Sequence, residues 1–227
     1  MNRLALLGIE ENDVKKFEGY MEDILKLNES INLTAITEKA EFVEKHYLDS
    51  IVIRRYDEMK EATRVLDLGT GAGFPGVPLA ILFPEKEFVL VDSLNKRLKI
   101  IQELCEKHGI ENVKVVHGRA EELGRNPEYR EKFDLCLSRA VASLPVLTEY
   151  CLPFVKVGGS LVAYKGPDAE EEIKRAKNAI NKLGGKFDRV ENAGIEDLSH
   201  NLVFIKKIKN TDKRFPRKPG TPSKEPL

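Results

Sequence analysis

A glycine-rich loop that follows an apolar run carries the strongest chemical signal in this sequence. Residues 65–78 read V-L-D-L-G-T-G-A-G-F-P-G-V-P, with four glycines in eight positions. Glycines let a backbone approach a ligand closely, and this loop matches two known spacings. Residues 71–76 match G-x-G-x-x-G, the spacing of dinucleotide-binding loops. Residues 69–73 read G-x-G-x-G instead, and a carboxylate, Asp67, stands two positions before them.

The charge of Asp67 distinguishes the two kinds of ligand. A dinucleotide brings a doubly charged pyrophosphate to such a loop, and a carboxylate at the end of the strand repels it. S-adenosylmethionine brings an ammonium and a sulfonium group, each attracted by ~4 kcal/mol at about 4 Å and an effective dielectric constant of about 20. Pro75 also leaves one N–H fewer for a phosphate. The sequence therefore favours S-adenosylmethionine, with Asp67, Gly69, Gly71 and Gly73 as binding residues.

Two further positions fit the same ligand. Asp92 ends the next strand-like run, about 20 residues after the glycines, where a carboxylate can accept both ribose hydroxyls. Dinucleotide-binding folds use an acidic residue there as well, so Asp92 does not separate the two classes. Ala120 and Glu121 follow the third strand-like run, where methyltransferases recognise adenine through a backbone N–H and an acidic side chain. We therefore predict donor contacts at Asp92, Ala120 and Glu121.

Strand-like runs alternate with helical patterns from residue 64 onward. The five runs are 64–69, 87–92, 113–118, 133–138 and 160–165, and helical periodicity is clearest at 95–108 and 168–183. Such alternation predicts a parallel sheet with helices on both faces. After residue 185, two more strands follow with no helix between them, so they must pair antiparallel. The order predicts an α/β class I methyltransferase fold, Rossmann-like, with a seven-stranded mostly parallel sheet that ends in an antiparallel hairpin.

Three segments are expected along the chain. Residues 1–63 show helical patterns only, roughly 10–29 and 38–59, and are interpreted as a helical extension packed on the core. Residues 64–208 form the methyltransferase domain, and residues 209–227 form a basic tail.

Charge is concentrated at the C-terminal end of a chain whose net charge is zero. From residue 206 onward, eight Lys or Arg stand against two acidic residues, a balance of +6. Basic residues beside an aromatic one are typical of phosphate contact combined with base stacking. The tail is therefore predicted to bind RNA through Lys213, Arg214, Phe215, Arg217 and Lys218, although a solvated, partly disordered terminus is the alternative.

Composition limits the other function classes. The hydrophobic and charged fractions, 41% and 33%, are those of an ordinary globular protein. No apolar run approaches the roughly 18 residues of a membrane helix, and the N-terminus does not resemble a secretory signal, so we expect a cytoplasmic protein. The three cysteines are widely spaced and the four histidines form no zinc pattern. We predict neither a metal site nor a disulfide.

Five stretches together resemble one known family. They are N-L-T followed by H-Y-L-D-S at 46–50, D-L-G-T-G-A-G-F-P-G at 67–76, V-D-S-L-N-K-R at 91–97, S-R-A-V-A-S-L at 138–144, and the ending R-F-P-R-K-P-G-T-P-S-K-E-P-L. In this order they are similar to the ribosomal small subunit methyltransferase G family, also called glucose-inhibited division protein B. The resemblance runs over nearly the whole chain.

This resemblance implies an activity and a partner. Family members are expected to methylate N7 of a guanosine in the decoding-region loop of 16S ribosomal RNA, with S-adenosylmethionine as donor. The partner would be 16S ribosomal RNA or the small ribosomal subunit, and we expect a monomer. By the same resemblance, donor contacts fall on Gly69, Phe74, Ala120, Glu121 and Arg139. The Phe74 side chain would lie over the donor, or it would plug the core behind the loop.

The predicted target needs little from acid–base chemistry. Guanine N7 has a free lone pair and no proton to lose, so its attack needs in-line placement and exclusion of water. Arg139 ends the fourth strand, where it could bond guanine O6 or a phosphate, and it is the candidate catalytic residue. His46 and Asp49, one helical turn apart, are predicted to touch RNA, with helix capping and packing as the alternative.

Two other functions stay open on the sequence. One is a nonenzymatic RNA-binding or ribosome-assembly factor that retains a methyltransferase fold, against which the intact glycine loop argues. The other is a small-molecule methyltransferase, which would not need the basic tail.

Overall fold

A seven-stranded sheet forms the centre of the computed structural model, which describes residues 1–194 and 200–227. Its strands are β1 (Arg64–Leu68), β2 (Glu87–Asp92), β3 (Val113–His117), β4 (Phe133–Arg139), β5 (Val155–Lys165), β6 (Gly185–Asn192) and β7 (Asn201–Lys207). The strand order is β3-β2-β1-β4-β5-β7-β6. Neighbours among β1 to β5 pair parallel, whereas β7 is antiparallel to both β5 and β6. The predicted fold class is confirmed.

Helices cover both faces of this sheet. They are α1 (Asn2–Leu6), α2 (Glu11–Ile31), α3 (Lys39–Phe42), α4 (Asp49–Ile51), α5 (Asp57–Glu61), α6 (Gly76–Leu82), α7 (Asn95–Lys107), α8 (Ala120–Leu123), α9 (Leu144–Cys151), α10 (Ala169–Lys182) and α11 (Thr221–Lys224). A π-helical segment (Val43–Leu48) joins α3 to α4, and 3-10 turns follow at Val52–Arg55 and Leu152–Phe154. Strand β1 leads directly into the glycine loop and α6, so the predicted ligand loop lies at the carboxyl edge of the sheet.

The N-terminal helices pack against the glycine loop itself. The Tyr20 hydroxyl, fully buried, donates to the carbonyl of Ala72 at 3.0 Å, and the Tyr47 hydroxyl donates to the carbonyl of Phe17 at 2.6 Å. Each phenol thus satisfies its polar end while its ring fills the core. The extension therefore supports the loop from behind.

The C-terminal residues are not a free tail. We use the name C-terminal strap for residues 211–227, which run back over the body of the protein. Arg130 donates to the carbonyls of Thr211 (2.6 Å) and Phe215 (2.9 Å), and Arg125 donates to that of Pro216 (2.8 Å). The Phe215 side chain is only 9% exposed and belongs to the core cluster beneath α9 and α10. The solvated terminus and the base-stacking role predicted for Phe215 are therefore both wrong.

Part of the basic charge of the strap is paired inside the protein. Arg217 forms an ion pair at 2.7 Å with Glu149, whose side chain is 1% exposed. Arg214 pairs with Asp212 at 3.1 Å on the surface. Lys213, by contrast, is exposed. A buried carboxylate needs such a partner because an unpaired buried charge is costly. Arg217 is therefore a structural residue, which corrects its predicted role in RNA binding.

Burial limits the chemistry of the cysteines. The three cysteines, Cys105, Cys136 and Cys151, are free and buried. Within residues 1–194 and 200–227, His, Cys, Asp and Glu side chains form no group of three that could hold a metal ion. None of the helices in these same residues is both long and apolar enough to cross a membrane.

Replacing Phe215 tests the packing of the strap. The substitution Phe215→Ala should lower the free energy of unfolding by about 3 kcal/mol, since it leaves a cavity in the core cluster beneath α9 and α10. The matched substitution Lys213→Ala, two residues away and exposed, should change it by less than about 0.5 kcal/mol. Urea unfolding of both variants measures the difference. Equal, small effects would show that the strap does not pack on the body in solution.

Candidate active site

A cavity of about 410 Å³ opens where β1, β2 and β3 end. Four of the predicted donor residues line it, namely Gly69, Asp92, Ala120 and Glu121. Ligands of open α/β sheets bind at this edge of the sheet, and the volume falls within the range of small-molecule pockets. The cavity is also lined by residues that the sequence did not single out, including Arg97, Arg119, Tyr150, Gly220 and Ser223.

Asp92 connects the glycine loop to the end of β2. Its Oδ2 accepts the N–H of Gly71 at 3.0 Å, and its Oδ1 accepts the N–H of Leu94 at 2.9 Å. The side chain is 7% exposed and borders the cavity. Each carboxylate oxygen has about two acceptor sites, so both can still accept a hydroxyl from a ligand. Asp92 is therefore held in place and remains able to bind a diol.

Glu121 also lines the cavity. It is 5% exposed, and its Oε1 accepts the N–H of Gly220 from the strap at 2.9 Å. Among the described residues, its Oε2 has no hydrogen-bond partner. A ligand N–H can therefore reach a carboxylate that the protein has already fixed.

Asp67 lies beneath the glycine loop and not in the cavity. Its side chain is fully buried, and its Oδ2 accepts the Thr70 hydroxyl at 2.7 Å and the Gly76 N–H at 2.8 Å. Its Oδ1 is buried without a partner among the described residues. Burial raises the pKa of Asp67 to about 6. The predicted contact with the donor is therefore not made by this side chain, which organises the turn from below.

Phe74 plugs the core behind the loop. Its ring is 5% exposed and stacks on His46, with centroids 4.4 Å apart and planes 3° from parallel. Tyr20, Phe42 and Tyr47 contact it edge-on. Of the two roles considered for Phe74, the structure supports the plug and does not support a ring lying over the donor.

Arg139 ends β4 in a polar cluster that we call the arginine network, formed by His46, Asp49, Arg139 and His200. Arg139 donates from Nη1 to Asp49 Oδ2 at 2.7 Å and to the carbonyl of Lys45 at 3.0 Å. Its Nη2 lies 3.2 Å from His46 Nδ1. The other oxygen of Asp49 lies 2.9 Å from His200 Nδ1. Two sequence motifs distant along the chain, H-Y-L-D-S and S-R-A, therefore meet in one cluster.

The network fixes the protonation of His46. Arg139 can only donate, so His46 Nδ1 must accept and Nε2 carries the proton, which faces the Thr34 hydroxyl at 2.7 Å. Burial, with Arg139, lowers the pKa of His46 to about 3. Both ring nitrogens and one ring face are thus used inside the protein. The predicted RNA contact through His46 is not supported, and the packing alternative is.

Asp49 is the charged centre of the network. Burial alone would raise the pKa of its carboxyl, but the hydrogen bond to His200 and the charge of Arg139 outweigh burial and lower it. The same hydrogen bond raises the pKa of His200. Asp49 is fully buried while the His200 side chain is 36% exposed. The network therefore holds a carboxylate, an arginine and a partly exposed histidine together at the end of β4.

A short loop connects the network to the cavity. Ala140 adopts the left-handed conformation, with φ of 57°, and Val141 then reaches the glycine loop. A Cβ on Gly69 would lie 2.2 Å from Val141 Cγ2, and Gly69 itself has φ of +74°. Only glycine meets both conditions. Lys165 donates to the carbonyl of Ala142 at 2.6 Å and so holds the loop from the β5 side.

The predicted site residues thus divide into two groups. Five predicted donor residues are not among the described residues that line the cavity. They are Asp67, Gly71, Gly73, Phe74 and Arg139. Gly71 acts through its N–H on Asp92. His200 and Tyr150 were missed because no local motif marks them, whereas Gly220 was missed although its surroundings carry a signal. The R-K-P-G-T-P run was a usable signal for Gly220, since a glycine between two prolines favours an ordered turn.

Comparisons with known proteins agree with this geometry. The family model described as rRNA small subunit methyltransferase G matches residues 13–203. The chain is 52% identical to the ribosomal RNA small subunit methyltransferase G of Clostridium novyi, over 97% of this chain and 93% of that protein. It is 48% identical to the protein of the same name from Alkaliphilus metalliredigens, over 96% and 92%.

Solved structures support the fold. A putative O-methyltransferase from Klebsiella pneumoniae matches with a TM-score of 0.59 and 12% identity, over 84% of this chain and 90% of that one. The O-methyltransferase from Bacillus cereus in complex with SAH matches with a TM-score of 0.58 and 17% identity, over 83% and 90%. At such low identity these likenesses show the class I methyltransferase fold alone.

Asp67 gives the site a testable pH dependence. Its folded pKa of about 6 lies above the unfolded value of about 4, so the folded state keeps a proton that the unfolded state releases between these pH values. This group therefore favours folding below about pH 4, and that advantage is lost as the pH rises through 6. Asp67→Asn keeps the oxygen for Thr70 and Gly76 but cannot ionise. Its stability relative to the wild type should rise by about 2 kcal/mol between pH 4 and pH 7.

Chemical unfolding at several pH values measures this difference. Asp134→Asn is the matched control, because Lys156 and backbone N–H groups outweigh burial and lower the pKa of Asp134 to about 2. Its relative stability should fall as the pH rises from 2 to 4. A pH-independent difference for Asp67→Asn would contradict the raised pKa.

Proposed function

Because this chain belongs to the rRNA small subunit methyltransferase G family, we propose that it transfers the methyl group of S-adenosylmethionine to N7 of a guanosine in the decoding-region loop of 16S ribosomal RNA. The observation that carries the proposal is the cavity at the carboxyl edge of the sheet, which Asp92 and Glu121 both line beside the glycine loop. Relatives of nearly the same length are named ribosomal RNA small subunit methyltransferase G. The protein is proposed to act in the cytoplasm as a monomer.

The chemistry of the cavity suits this donor. Asp92 has acceptor sites left for the two ribose hydroxyls, and Glu121 Oε2 has one for the adenine amino group. Ala120 supplies a backbone position beside Glu121, and Gly69 admits close approach of the methionine part. When bound, S-adenosylmethionine supplies an electrophilic methyl group on a sulfonium. The protein has to bind it, orient it and exclude water.

Arg139 is proposed to position the guanine. Three of its five N–H groups are used by Lys45, Asp49 and His46. One N–H on Nε and one on Nη2 have no partner among the described residues. Since N7 attacks with its own lone pair, the guanine needs placement and not deprotonation. An arginine held by a buried carboxylate is suited to that task because its guanidinium is already oriented before the base arrives.

Cations at the surface are proposed to hold the RNA backbone. Arg119 is exposed at the mouth of the cavity, where Arg97 is half-buried. Lys213 and Lys218 of the strap are exposed, and the Arg214 side chain is 79% exposed although it is paired. We therefore assign phosphate contacts to these exposed side chains and not to Phe215 or Arg217, which have structural roles.

One experiment tests the proposed function directly. Purified protein and labelled donor are incubated with small ribosomal subunits, with free 16S ribosomal RNA and with a small-molecule extract, and N7-methylguanosine is mapped in the RNA. We expect one methylated guanosine in the decoding region. Label only in the extract would indicate a small-molecule methyltransferase, and no transfer despite donor binding would indicate a nonenzymatic factor.

Asp92 provides a test of the donor site alone. Hydrogen bonds to a charged group are worth ~1.5–3 kcal/mol, so Asp92→Ala should weaken S-adenosylhomocysteine binding at least about tenfold. Asp134→Ala is the matched control, since Asp134 accepts backbone N–H groups of Thr63 and Arg64 at the amino edge of the sheet. It should bind the ligand as the wild type does. Calorimetry with both variants decides, and equal affinities would remove Asp92 from the donor site.

A further inference from the structure

We propose that the C-terminal strap is one wall of the donor pocket and that the backbone N–H of Gly220 holds Glu121 in the orientation in which it binds adenine. The inference rests on the proposed function, because it takes S-adenosylmethionine as the ligand of the cavity. It gives the strap a part in donor binding, although Gly220 lies 99 residues from Glu121 along the chain.

The strap borders the cavity directly. Gly220 and Ser223 line it together with Tyr150, on the side where Glu121 lies. The N–H of Gly220 donates to Glu121 Oε1 at 2.9 Å. A charge-assisted hydrogen bond of this kind is stronger than one between neutral groups. The strap therefore fixes one oxygen of the carboxylate and leaves the other for a ligand.

The position of Gly220 is itself held on one side by an internal ion pair. Arg217 donates to both oxygens of Glu149, from Nε and Nη2 at 2.7 to 3.1 Å, and its Nη2 also donates to the carbonyl of Glu225 at 2.7 Å. The two-oxygen geometry gives direction as well as attraction. Farther along, Pro222 is buried. The turn that presents the Gly220 N–H is therefore rigidly attached to α9, which carries Glu149.

The conformation of Gly220 explains why a glycine stands there. Its φ is +81°, in the left-handed region, and a Cβ added to it would meet nothing within 4 Å. A glycine is therefore favoured here by the backbone conformation, and not because a larger side chain would lack space. Any other residue would strain this turn and turn the N–H away from Glu121.

Removing the strap would have opposite effects if it supports Glu121 and if it competes with the ligand. If the strap held Glu121 ready, its loss would weaken donor binding. If the strap competed with adenine for Glu121, its loss would strengthen donor binding. The geometry favours the wall, because Gly220 uses only Oε1 of Glu121, and Oε2 has no partner within residues 1–194 and 200–227.

Two glycines make a matched pair for the test. Gly158, like Gly220, has a positive φ (+90°) and open space around an added Cβ, but it lies near the start of β5, away from the cavity. Gly220→Ala should weaken S-adenosylhomocysteine binding at least fivefold in calorimetry, whereas Gly158→Ala should stay within twofold of the wild type. A chain that ends at Pro216 and carries Glu149→Gln, so that Glu149 is not left as a buried carboxylate without Arg217, should bind at least tenfold more weakly.

Hydrogen exchange of the wild-type protein gives a second readout without any substitution. Coupling between sites is reciprocal, so a ligand that uses the fixed Glu121 should also slow exchange of the amides in residues 217–224. We expect at least fivefold slowing there with S-adenosylhomocysteine and none in the peptide around Gly158.

The outcomes separate this inference from the proposed function. If Gly220→Ala and the shortened chain bind the ligand as tightly as the wild type, or more tightly, and exchange of the strap does not change, the inference is wrong. If the wild type does not bind S-adenosylhomocysteine at all, the proposed function fails. If the wild type binds it with the expected effects and methylates no RNA, only the proposed function is contradicted.

Discussion

The ion pair between Arg139 and Asp49 is the interaction on which the arrangement of this protein depends. Asp49 belongs to the N-terminal helices, Arg139 ends the fourth strand, and the two meet at 2.7 Å with the carboxylate fully buried. Breaking a buried pair by removing one partner typically costs 3–5 kcal/mol, so the helices must sit where the pair can form. His46, held by Arg139, then stacks on Phe74 and closes the space behind the glycine loop. The helical extension is thus tied to the loop that it supports.

Arg139 belongs to the arginine network, which a short loop connects to the cavity proposed to bind the donor. On one side the network holds the guanidinium, and on the other the cavity is built from Asp92 and Glu121. The Gly69–Val141 contact joins the two sides. A reaction that needs alignment more than acid–base chemistry is served by such rigid placement.

Hydrophobic periodicity predicted the fold well because it is a local property. The runs at 64–69 and 87–92 correspond to strands at Arg64–Leu68 and Glu87–Asp92. Side-chain direction was harder to predict. Asp67 and Asp92 are both acidic residues near the ends of neighbouring strands, yet one is buried beneath the loop and the other borders the cavity. That difference depends on where the chain turns after each strand, which a motif does not contain.

The strap shows why net charge misleads about partners. The balance of +6 from residue 206 onward suggested a basic arm for a polyanion, but Arg217 of the strap neutralises a buried glutamate 68 residues away. No sequence pattern identifies that partner, since the contact joins an arginine of the strap to a glutamate of α9 that is distant along the chain. An arginine used in this way adds stability and a fixed backbone, and it contributes little to attraction at a distance. Exposed cations such as Lys213 and Arg119 keep the charge that the proposed contact with an RNA phosphate backbone needs.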